Sequence, residues 1–295
     1  MKGLVLINAY PNGEKFINQG VRIAEELRKL GVDTDVLKNG EVWAKIDEKG
    51  NAIVEWAKKY AFVVYLDKDK YLGKLLEQAG LRLYNSANAV EICDDKMLTY
   101  ISLVQKNIPL AETIPAPLCY TPNVKADETF LQRVEKTLGF PLVVKKSYGS
   151  FGVGVTLVKT REDLQKVAQE HLYTPHFYQR YIEESQGKDI RVIVIGGKAV
   201  AAMKRIAQKG EFRSNIELGG VGRAISLRKE YQAVAENAAK ALGLDYCGVD
   251  LLETKKGPIL CEVNSNAFFE GLEKTTGLNV ARAYAEYIAK DMQKS

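Results

Sequence analysis

The sequence is poor in the residues on which many hydrolases and zinc enzymes depend. Among 295 residues it has two histidines, His171 and His176, and four cysteines without a C-x-x-C pair. It contains no G-x-S-x-G elbow and no H-E-x-x-H motif, which excludes the corresponding serine hydrolases and zinc proteases. The cysteine pattern predicts reduced thiols in a cytoplasmic protein. We expect both histidines to lie on the surface, neither as a ligand nor as a base.

Long apolar runs and a strong net charge are also absent. No segment approaches the ~18 apolar residues of a membrane helix, and the first ten residues are too short in apolar length for a signal peptide. The 42 basic and 37 acidic residues leave a net charge of +5, and the basic residues are scattered. We therefore expect a pocket for anions, no nucleic-acid groove and no membrane partner.

The first 90 residues alternate between strand and helix patterns. Short apolar runs predict strands at 4–7, 32–37 and 61–66, and helical spacing predicts helices at 16–30 and 72–79. A β-α-β order of this kind is typical of a doubly wound parallel sheet. The fold class is therefore α/β in this part.

The pattern changes to hairpins after a helix predicted at 94–107 and a proline-bearing linker at 113–122. Strands are predicted at 142–146, 155–158, 177–182, 189–195, 198–206, 246–253 and 258–264, and helices at 230–242 and 281–292. We predict three units: an N-terminal αβ domain at 1–92, a central unit with a lid at 93–179, and a C-terminal antiparallel-sheet unit at 180–295.

The last hairpin carries the strongest chemical signal. If its turn is centred on Lys256, Asp250 lies opposite Glu262, and Asn264 shares their face. Two carboxylates and an amide are hard oxygen donors that suit Mg²⁺. The alternative is an exposed sheet face with unrelated acidic residues.

Two further clusters are rich in glycine or arginine. Lys145 precedes the loop Gly149–Gly154, whose backbone N–H groups are able to approach phosphate oxygens, although a flexible hairpin tip is the alternative. Arg205 and the string Arg213-Ser214-Asn215 favour capture of phosphate or carboxylate, or else form a solvated loop.

The order of these clusters resembles the ATP-grasp superfamily. The resemblance is closest to its RimK-like and LysX-like branch, amino-acid ligases that join glutamate to a carboxyl group of an acceptor. The strings distinctive of that branch are Asp189-Ile190-Arg191, Phe212-Arg213-Ser214-Asn215 and Gly271-Leu272-Glu273-Lys274-Thr275-Thr276-Gly277. It covers about residues 1 to 290 and implies an ATP-grasp fold with a small lid.

The resemblance also implies roles for individual residues. Those implied for ATP are Lys96 and Lys145 at the phosphates, Ser150 and Gly152 in the lid, Gln179, Arg180, Tyr181 and Ile182 in the adenine hinge, and Asp189 at the ribose. Those implied for metal and substrates are Asp250, Glu262 and Asn264 for Mg²⁺, Arg205 for the γ-phosphate or acyl phosphate, and Arg213, Ser214, Asn215 and Asn266 for substrates.

The expected activity is ATP-dependent ligation of a carboxylate to an amine through an acyl phosphate. ATP and Mg²⁺ are the expected cofactors, with Mn²⁺ as a substitute, and glutamate or a similar α-amino acid is added to an acceptor on a small molecule, peptide or protein. The alternatives are a non-catalytic ATP-binding regulatory protein and a D-alanine–D-alanine type of ligase. A homo-oligomer is left open.

The chain departs from the family pattern at two places. Arg180 stands where the family usually has Glu, which puts side-chain discrimination of the base in question. Ser265–Glu270 replaces the usual Ala-Ser-Pro-Gly beside the acceptor site, so that the acceptor is expected to be unusual. Phe268 and Phe269 there either shape an apolar pocket or belong to the core.

Overall fold

A computed structural model describes residues 1–11, 13–214 and 219–294. The strands are β1 (Lys2–Ile7), β2 (Asp33–Lys38), β3 (Lys45–Ile46), β4 (Ala52–Ile53), β5 (Phe62–Leu66), β6 (Arg82–Tyr84), β7 (Thr113–Pro115), β8 (Leu142–Lys146), β9 (Val155–Val158), β10 (His176–Arg180), β11 (Lys188–Ile195), β12 (Lys198–Ile206), β13 (Val221–Ala224), β14 (Tyr246–Thr254) and β15 (Gly257–Asn264). The helices are α1 (Glu14–Lys29), α2 (Lys70–Gln78), α3 (Ala87–Asp94), α4 (Lys96–Ser102), α5 (Glu128–Leu138), α6 (Arg161–Glu170), α7 (Lys229–Ala241), α8 (Glu270–Thr276) and α9 (Val280–Met292).

The first sheet is parallel, in the order β2-β1-β5-β6. All five residues of β5 are buried, as expected for a strand covered by helices on both faces. The predicted strands and helices of this region are confirmed, and the mixed α/β class with them. In the described residues, no helix combines the length and the apolar character that crossing a bilayer requires.

The parallel sheet shares one core with the C-terminal sheet. Ile23 and Leu27 of α1 pack in the same cluster as Tyr284 and Ile288 of α9. Strand residues from both sheets, such as Val5 and Ile193, complete this cluster. Since apolar burial is the main favourable term in folding, this shared core fixes α1 beside the C-terminal sheet.

The second sheet is antiparallel, in the order β7-β10-β8-β9. Helices α5 and α6 pack on it through short apolar stripes that include Leu131, Val134, Leu164 and Val167. The sequence analysis did not predict these two helices, because each buries only three residues within a charged sequence. The segment interpreted as a linker contains β7.

The third sheet has the order β13-β12-β11-β14-β15, and its predicted hairpins are confirmed. The helix predicted at 94–107 is wrong in extent, since α3 ends at Asp94 and α4 begins at Lys96. Asp95 interrupts the helix because its side chain accepts hydrogen bonds from the N–H groups of Met97 and Leu98. The three main sheets lie within 2–84, 113–180 and 188–264, and the division at 92 and 179 stays a prediction.

Candidate active site

The largest concentration of predicted site residues lines one open cavity between the second and third sheets. It encloses about 870 Å³, including its mouth. The predicted residues along it are Lys96, Lys145, Ser150, Gly152, Gln179, Arg180, Tyr181, Ile182, Asp189, Arg205, Arg213, Ser214, Asp250 and Glu262. Asn264 and Asn266 do not line it, and Asn215 lies outside the described residues.

Asp250 and Glu262 face each other across β14 and β15, but not for the predicted reason. The turn consists of Lys255 and Lys256, and the ladder is regular as far as the pair Leu251–Leu260. Cys261 is then an extra residue in β15, and Asp250 pairs with Glu262. Without this bulge Asp250 would face Cys261, and Glu262 would point to the other side of the sheet.

Asp250 is buried between two arginines. Arg191 on β11 bonds both of its oxygens, and Nη2 of Arg205 on β12 lies 2.8 Å from Oδ2. Burial opposes ionisation, but the two guanidinium groups outweigh it and hold the pKa of Asp250 below its ordinary value. The carboxylate therefore stays ionised in the cavity wall.

Arg205 connects Asp250 to Asp189. Its Nε and Nη2 atoms lie 2.7 and 2.5 Å from the two oxygens of Asp189, and Ser214 Oγ donates to Asp189 at 2.5 Å. Burial lowers the pKa of Arg205, but the two carboxylates outweigh it and raise that pKa above its ordinary value. A permanent cation is thus fixed beside Asp250.

Two lysines, Lys96 and Lys145, lie beside residues of β15 at the Asp250–Glu262 pair. Lys145 on β8 is buried, and its ammonium lies 3.7 Å from Cys261 Sγ. Lys96 begins α4, lies 3.4 Å from Glu262 Oε1, and donates to the carbonyl of Gly149. Four positive side chains, Lys96, Lys145, Arg191 and Arg205, therefore surround the Asp250–Glu262 pair, as an anionic ligand requires.

The four residues of the predicted hinge, Gln179 to Ile182, all line the cavity. Arg180 turns its guanidinium away and bonds Glu112 at 2.6 Å and the carbonyl of Leu138 at 3.0 Å. Gln179 is buried and donates to Thr113 at 2.8 Å. The Arg180 side chain is thus tied to the second sheet.

The glycine-rich loop Gly149–Gly154 forms part of the cavity wall. A Cβ at Gly154, where φ is +75°, would meet the Lys146 side chain at 2.9 Å, so this position requires glycine. Arg213 donates to the carbonyl of Gly152 at 2.9 Å, and Lys68 donates to Ser150 Oγ at 3.3 Å. Three side chains from outside the loop, Arg213, Lys68 and Lys96, therefore bond to it.

Sequence comparison identifies the family. The profile of the RimK-like ATP-grasp domain matches residues 93–288. The chain belongs to the RimK-like ATP-grasp family. A probable alpha-L-glutamate ligase of Vibrio atlanticus is 39% identical over 217 residues, 73% of this chain and 69% of the relative. One from Shewanella loihica is 40% identical over 72% of this chain and 69% of the relative.

Solved structures show the same fold at low identity. A RimK-domain ATP-grasp protein of Sphaerobacter thermophilus has a TM-score of 0.73 at 18% identity, covering 97% of this chain and 99% of that one. The D-alanine–D-alanine ligase of Bacillus anthracis complexed with ATP has a TM-score of 0.73 at 20% identity, covering 100% and 98%. The predicted ATP-grasp fold and ligase class are confirmed.

The residues predicted to bind substrates of this ATP-grasp ligase do not all lie in the cavity. Arg213 pairs with Glu211 and reaches the lid, and Ser214 is bonded to Asp189. Asn266 lies outside the cavity and accepts a hydrogen bond from Gln19 at 3.0 Å. Their roles toward a substrate stay predictions.

Both histidines are buried, so the surface placement was wrong. His176 Nε2 lies 3.0 Å from the Tyr178 hydroxyl, and the rings of His171 and His176 are 5.8 Å apart. Burial lowers the pKa of both imidazoles. His176 lies on β10 and His171 directly follows α6, and neither lines the cavity.

Several cavity residues escaped the sequence analysis. Val143 and Leu252 line the cavity two residues from Lys145 and Asp250, so strand alternation could have identified them. Arg191 faces Asp250 only through the order of β11 and β14, which no local pattern gives. Cys261 also lines the cavity and carried no signal, whereas Phe212 was named only as part of a family string and without a role.

Proposed function

We propose that this chain is an ATP-dependent ligase that adds glutamate, or a similar α-amino acid, to an acceptor carboxylate. The observation that carries the proposal is the paired carboxylates Asp250 and Glu262 in a cavity lined by Lys96, Lys145 and Arg205, with Arg191 bonded to Asp250. The names of the relatives support glutamate as the added amino acid.

The residues present fit magnesium. Asp250, Glu262 and Asn264 offer hard oxygen donors, and Asn264 lies two residues from Glu262 on β15, on the same face of the sheet. No described group of three or more His, Cys, Asp or Glu is arranged to hold a metal ion, so the amide is needed to complete the set. Bound Mg²⁺ would neutralise charge on the phosphate oxygens. Mn²⁺ is the proposed substitute.

The chemistry needs positioned charge rather than a protein nucleophile. An acceptor carboxylate oxygen attacks the γ-phosphorus of ATP, the bond to the β-γ bridging oxygen breaks, and ADP leaves. Arg205 and Lys145 offset the charge on the transferred group. The amine then attacks the acyl carbon, the carbon–oxygen bond to phosphate breaks, and an amide and phosphate result, with one proton released from the amine.

The remaining roles are those that the resemblance to the family implies. The hinge from Gln179 to Ile182 is proposed to bind adenine through its backbone, and Asp189 to lie near the ribose. The lid carrying Ser150 and Gly152 would exclude water from the acyl phosphate, which otherwise hydrolyses. Arg213, Ser214, Asn215 and Asn266 are proposed to approach the substrates.

Phosphate release tests the proposal. Purified protein is incubated with ATP, Mg²⁺, glutamate and a panel of acceptor carboxylates, and both phosphate and amide are measured. We expect one phosphate per amide, and loss of both in the double variant Asp250→Asn, Glu262→Gln. ATP binding without phosphate release for every pair would contradict a ligase.

A further inference from the structure

The glycine-rich loop Gly149–Gly154 has few contacts of its own. All three of its glycines, and Phe151 between them, have positive φ. A backbone hydrogen bond of 3.1 Å from the N–H of Val153 to the carbonyl of Ser150 crosses the loop, and the Val153 side chain is exposed. Segments with few internal contacts open at low free-energy cost. The contacts that the loop makes with the rest of the chain therefore decide where it lies.

The ring of Phe151, at the tip of this loop, belongs to an aromatic cluster with Phe16 and Phe268. It meets Phe16 edge-on at a centroid distance of 6.4 Å and stacks on Phe268 at 6.1 Å. The Lys15 ammonium lies over the Phe151 ring, 4.2 Å from its centroid. Phe151 has φ +58°, a conformation that disfavours a bulky residue. The ring and cation contacts offset this backbone cost only while the loop is in place.

Phe16 and Phe268 form a fixed seat for the Phe151 ring. They meet edge to face, with centroids 4.7 Å apart. Phe16 lies on α1, which packs in the core shared by the first and third sheets. Phe268 lies between two buried residues of the same core, Ala267 and Phe269. Opening of the loop would therefore remove Phe151 from a seat that stays in place.

A second contact holds the loop at Ser150. Lys68, just after β5, donates to Ser150 Oγ at 3.3 Å and to Asp94 Oδ1 at 2.5 Å. Ser150 and Gly152, on either side of Phe151, line the cavity between the second and third sheets. Both contacts thus act on the part of the loop that forms the cavity wall.

The side chains that hold the loop tip include three from outside the matched family domain. Lys15, Phe16 and Lys68 precede residue 93, at which the RimK-like match begins. Arg213 and Lys96, which bond carbonyls of the loop, lie within the match. The N-terminal region therefore contributes contacts of its own to the position of the loop.

We propose that Phe16 and Lys68 are positioning residues that keep the glycine-rich loop against the cavity during the reaction. Phe16, together with Phe268, retains the Phe151 ring, and Lys68 retains Ser150. The inference rests on the proposed ligase function and gives the N-terminal region a role in it, the protection of the acyl phosphate from water.

Limited proteolysis tests the position of the loop without turnover. Chymotrypsin cuts after aromatic residues, and the bond between Phe151 and Gly152 becomes available when the ring leaves its cluster. The cutting rate follows the open fraction when opening is fast. We expect Phe16→Ala to raise this rate about fivefold and Lys68→Met about twofold. Cutting after Tyr120, which is 86% exposed, serves as the reference within each protein.

Two matched variants control for a general loosening of the fold. Ile17→Ala removes the next apolar side chain along α1, which packs on the shared core. Lys74→Met removes an exposed lysine that pairs with Glu91. Both should keep the wild-type rate of cutting after Phe151. Equal rates in Phe16→Ala and wild type, or an equal acceleration by Ile17→Ala, would overturn the proposal.

The ratio of phosphate to amide tests the consequence for the reaction. We expect about three phosphates per amide in Phe16→Ala and a ratio near one in Ile17→Ala, because water reaches the acyl phosphate when the loop opens. A ratio near one in Phe16→Ala, despite faster cutting, would overturn the protective role. Absence of phosphate release with every substrate pair would instead overturn the ligase function, whereas the cutting rates would still report the loop contacts.

Discussion

Glu262 lies directly opposite Asp250 because β15 carries one extra residue at Cys261. The hairpin turn alone would bring Asp250 opposite Cys261. The bulge therefore decides that two carboxylates, and not one, reach the cavity between the second and third sheets. Bulges are common beside active sites because they re-aim single side chains in this way.

Removal of one carboxylate should change the metal requirement. We expect Glu262→Gln to lower kcat at least a hundredfold and to raise the Mg²⁺ concentration for half-maximal activity, because an amide is a weaker ligand than a carboxylate. Glu253→Gln is the matched control, since Glu253 also lies on this hairpin but pairs with Lys204 outside the cavity. An unchanged Mg²⁺ requirement in Glu262→Gln would contradict the assignment.

Arg205 should contribute to folding stability as well as to the site. In Arg205→Met, two buried carboxylates lose a shared guanidinium, which should lower the free energy of unfolding at pH 7 by about 3–5 kcal/mol. Lys274→Met removes an exposed pair with Glu270 and should cost less than about 1 kcal/mol. Urea unfolding measures both.

The same variant should have an altered pH dependence. The pKa of Asp250 is lowered from its ordinary value of 3.8, so its ionised form stabilises the wild type above that pH, and the contribution is lost as the pH falls through the lower folded pKa. Without Arg205 this contribution shrinks. The difference in unfolding free energy between wild type and Arg205→Met should therefore be smaller at pH 3 than at pH 7, and an equal difference would contradict it.

Strands that are specified by their own apolar runs and turn residues were predicted correctly from the sequence. The strand Leu142–Lys146 and the hairpin strand Lys198–Ile206 were predicted at the bounds observed, because apolar runs and a Gly-Gly turn specify them. The resemblance to the family supplied many of the residues that line the cavity between the second and third sheets. The predicted pair of Asp250 and Glu262 is observed, but through the bulge at Cys261 and not through the regular hairpin register that predicted it.

Features that depend on tertiary contacts escaped prediction. The bulge at Cys261 cannot be recognised from the sequence of β15 alone, because a bulge is defined by the pairing with the partner strand β14. Arg191 reaches Asp250 only after β11 has paired with β14. The buried His171 and His176 lie in a polar stretch of sequence, and only the packing of the second sheet removes them from water. Strand order and packing thus decided these positions.

Arg213 should affect the coupling of ATP use to ligation. It donates to Gly152 in the lid, and its pairing holds the pKa of Glu211 at about 2, so the pair stays ionised at every assay pH. We expect Arg213→Ala to loosen the lid and to raise phosphate released per amide at least threefold, because water reaches the acyl phosphate. Arg223→Ala, on β13 outside the cavity, should keep the ratio near one. Loss of activity with unchanged coupling would indicate a direct substrate contact instead.

An added methyl group at Gly248 should destabilise the fold, because it would collide with the methyl group of Ala267. A Cβ at Gly248 would lie 2.5 Å from the Ala267 Cβ and 3.1 Å from Arg191 Cδ. Gly248→Ala should therefore destabilise the fold by about 1–3 kcal/mol and lower kcat, since Arg191 holds Asp250. The double variant Gly248→Ala, Ala267→Gly should recover most of the lost stability and of the lost kcat. If the effects of the two single variants on the free energy of unfolding simply add, this explanation is contradicted.

The buried histidines should make stability depend on pH near neutrality. Burial lowers the pKa of His171 and His176 below the ordinary value of 6.5, so the unfolded chain takes up protons first as the pH falls. Their contribution is complete above pH 6.5 and is lost as the pH falls through the folded pKa values. Urea unfolding at pH 7.5 and 5.5 should thus show a drop in the wild type that is smaller in the double variant His171→Gln, His176→Gln. Equal drops in the two proteins would show that other groups cause the pH dependence.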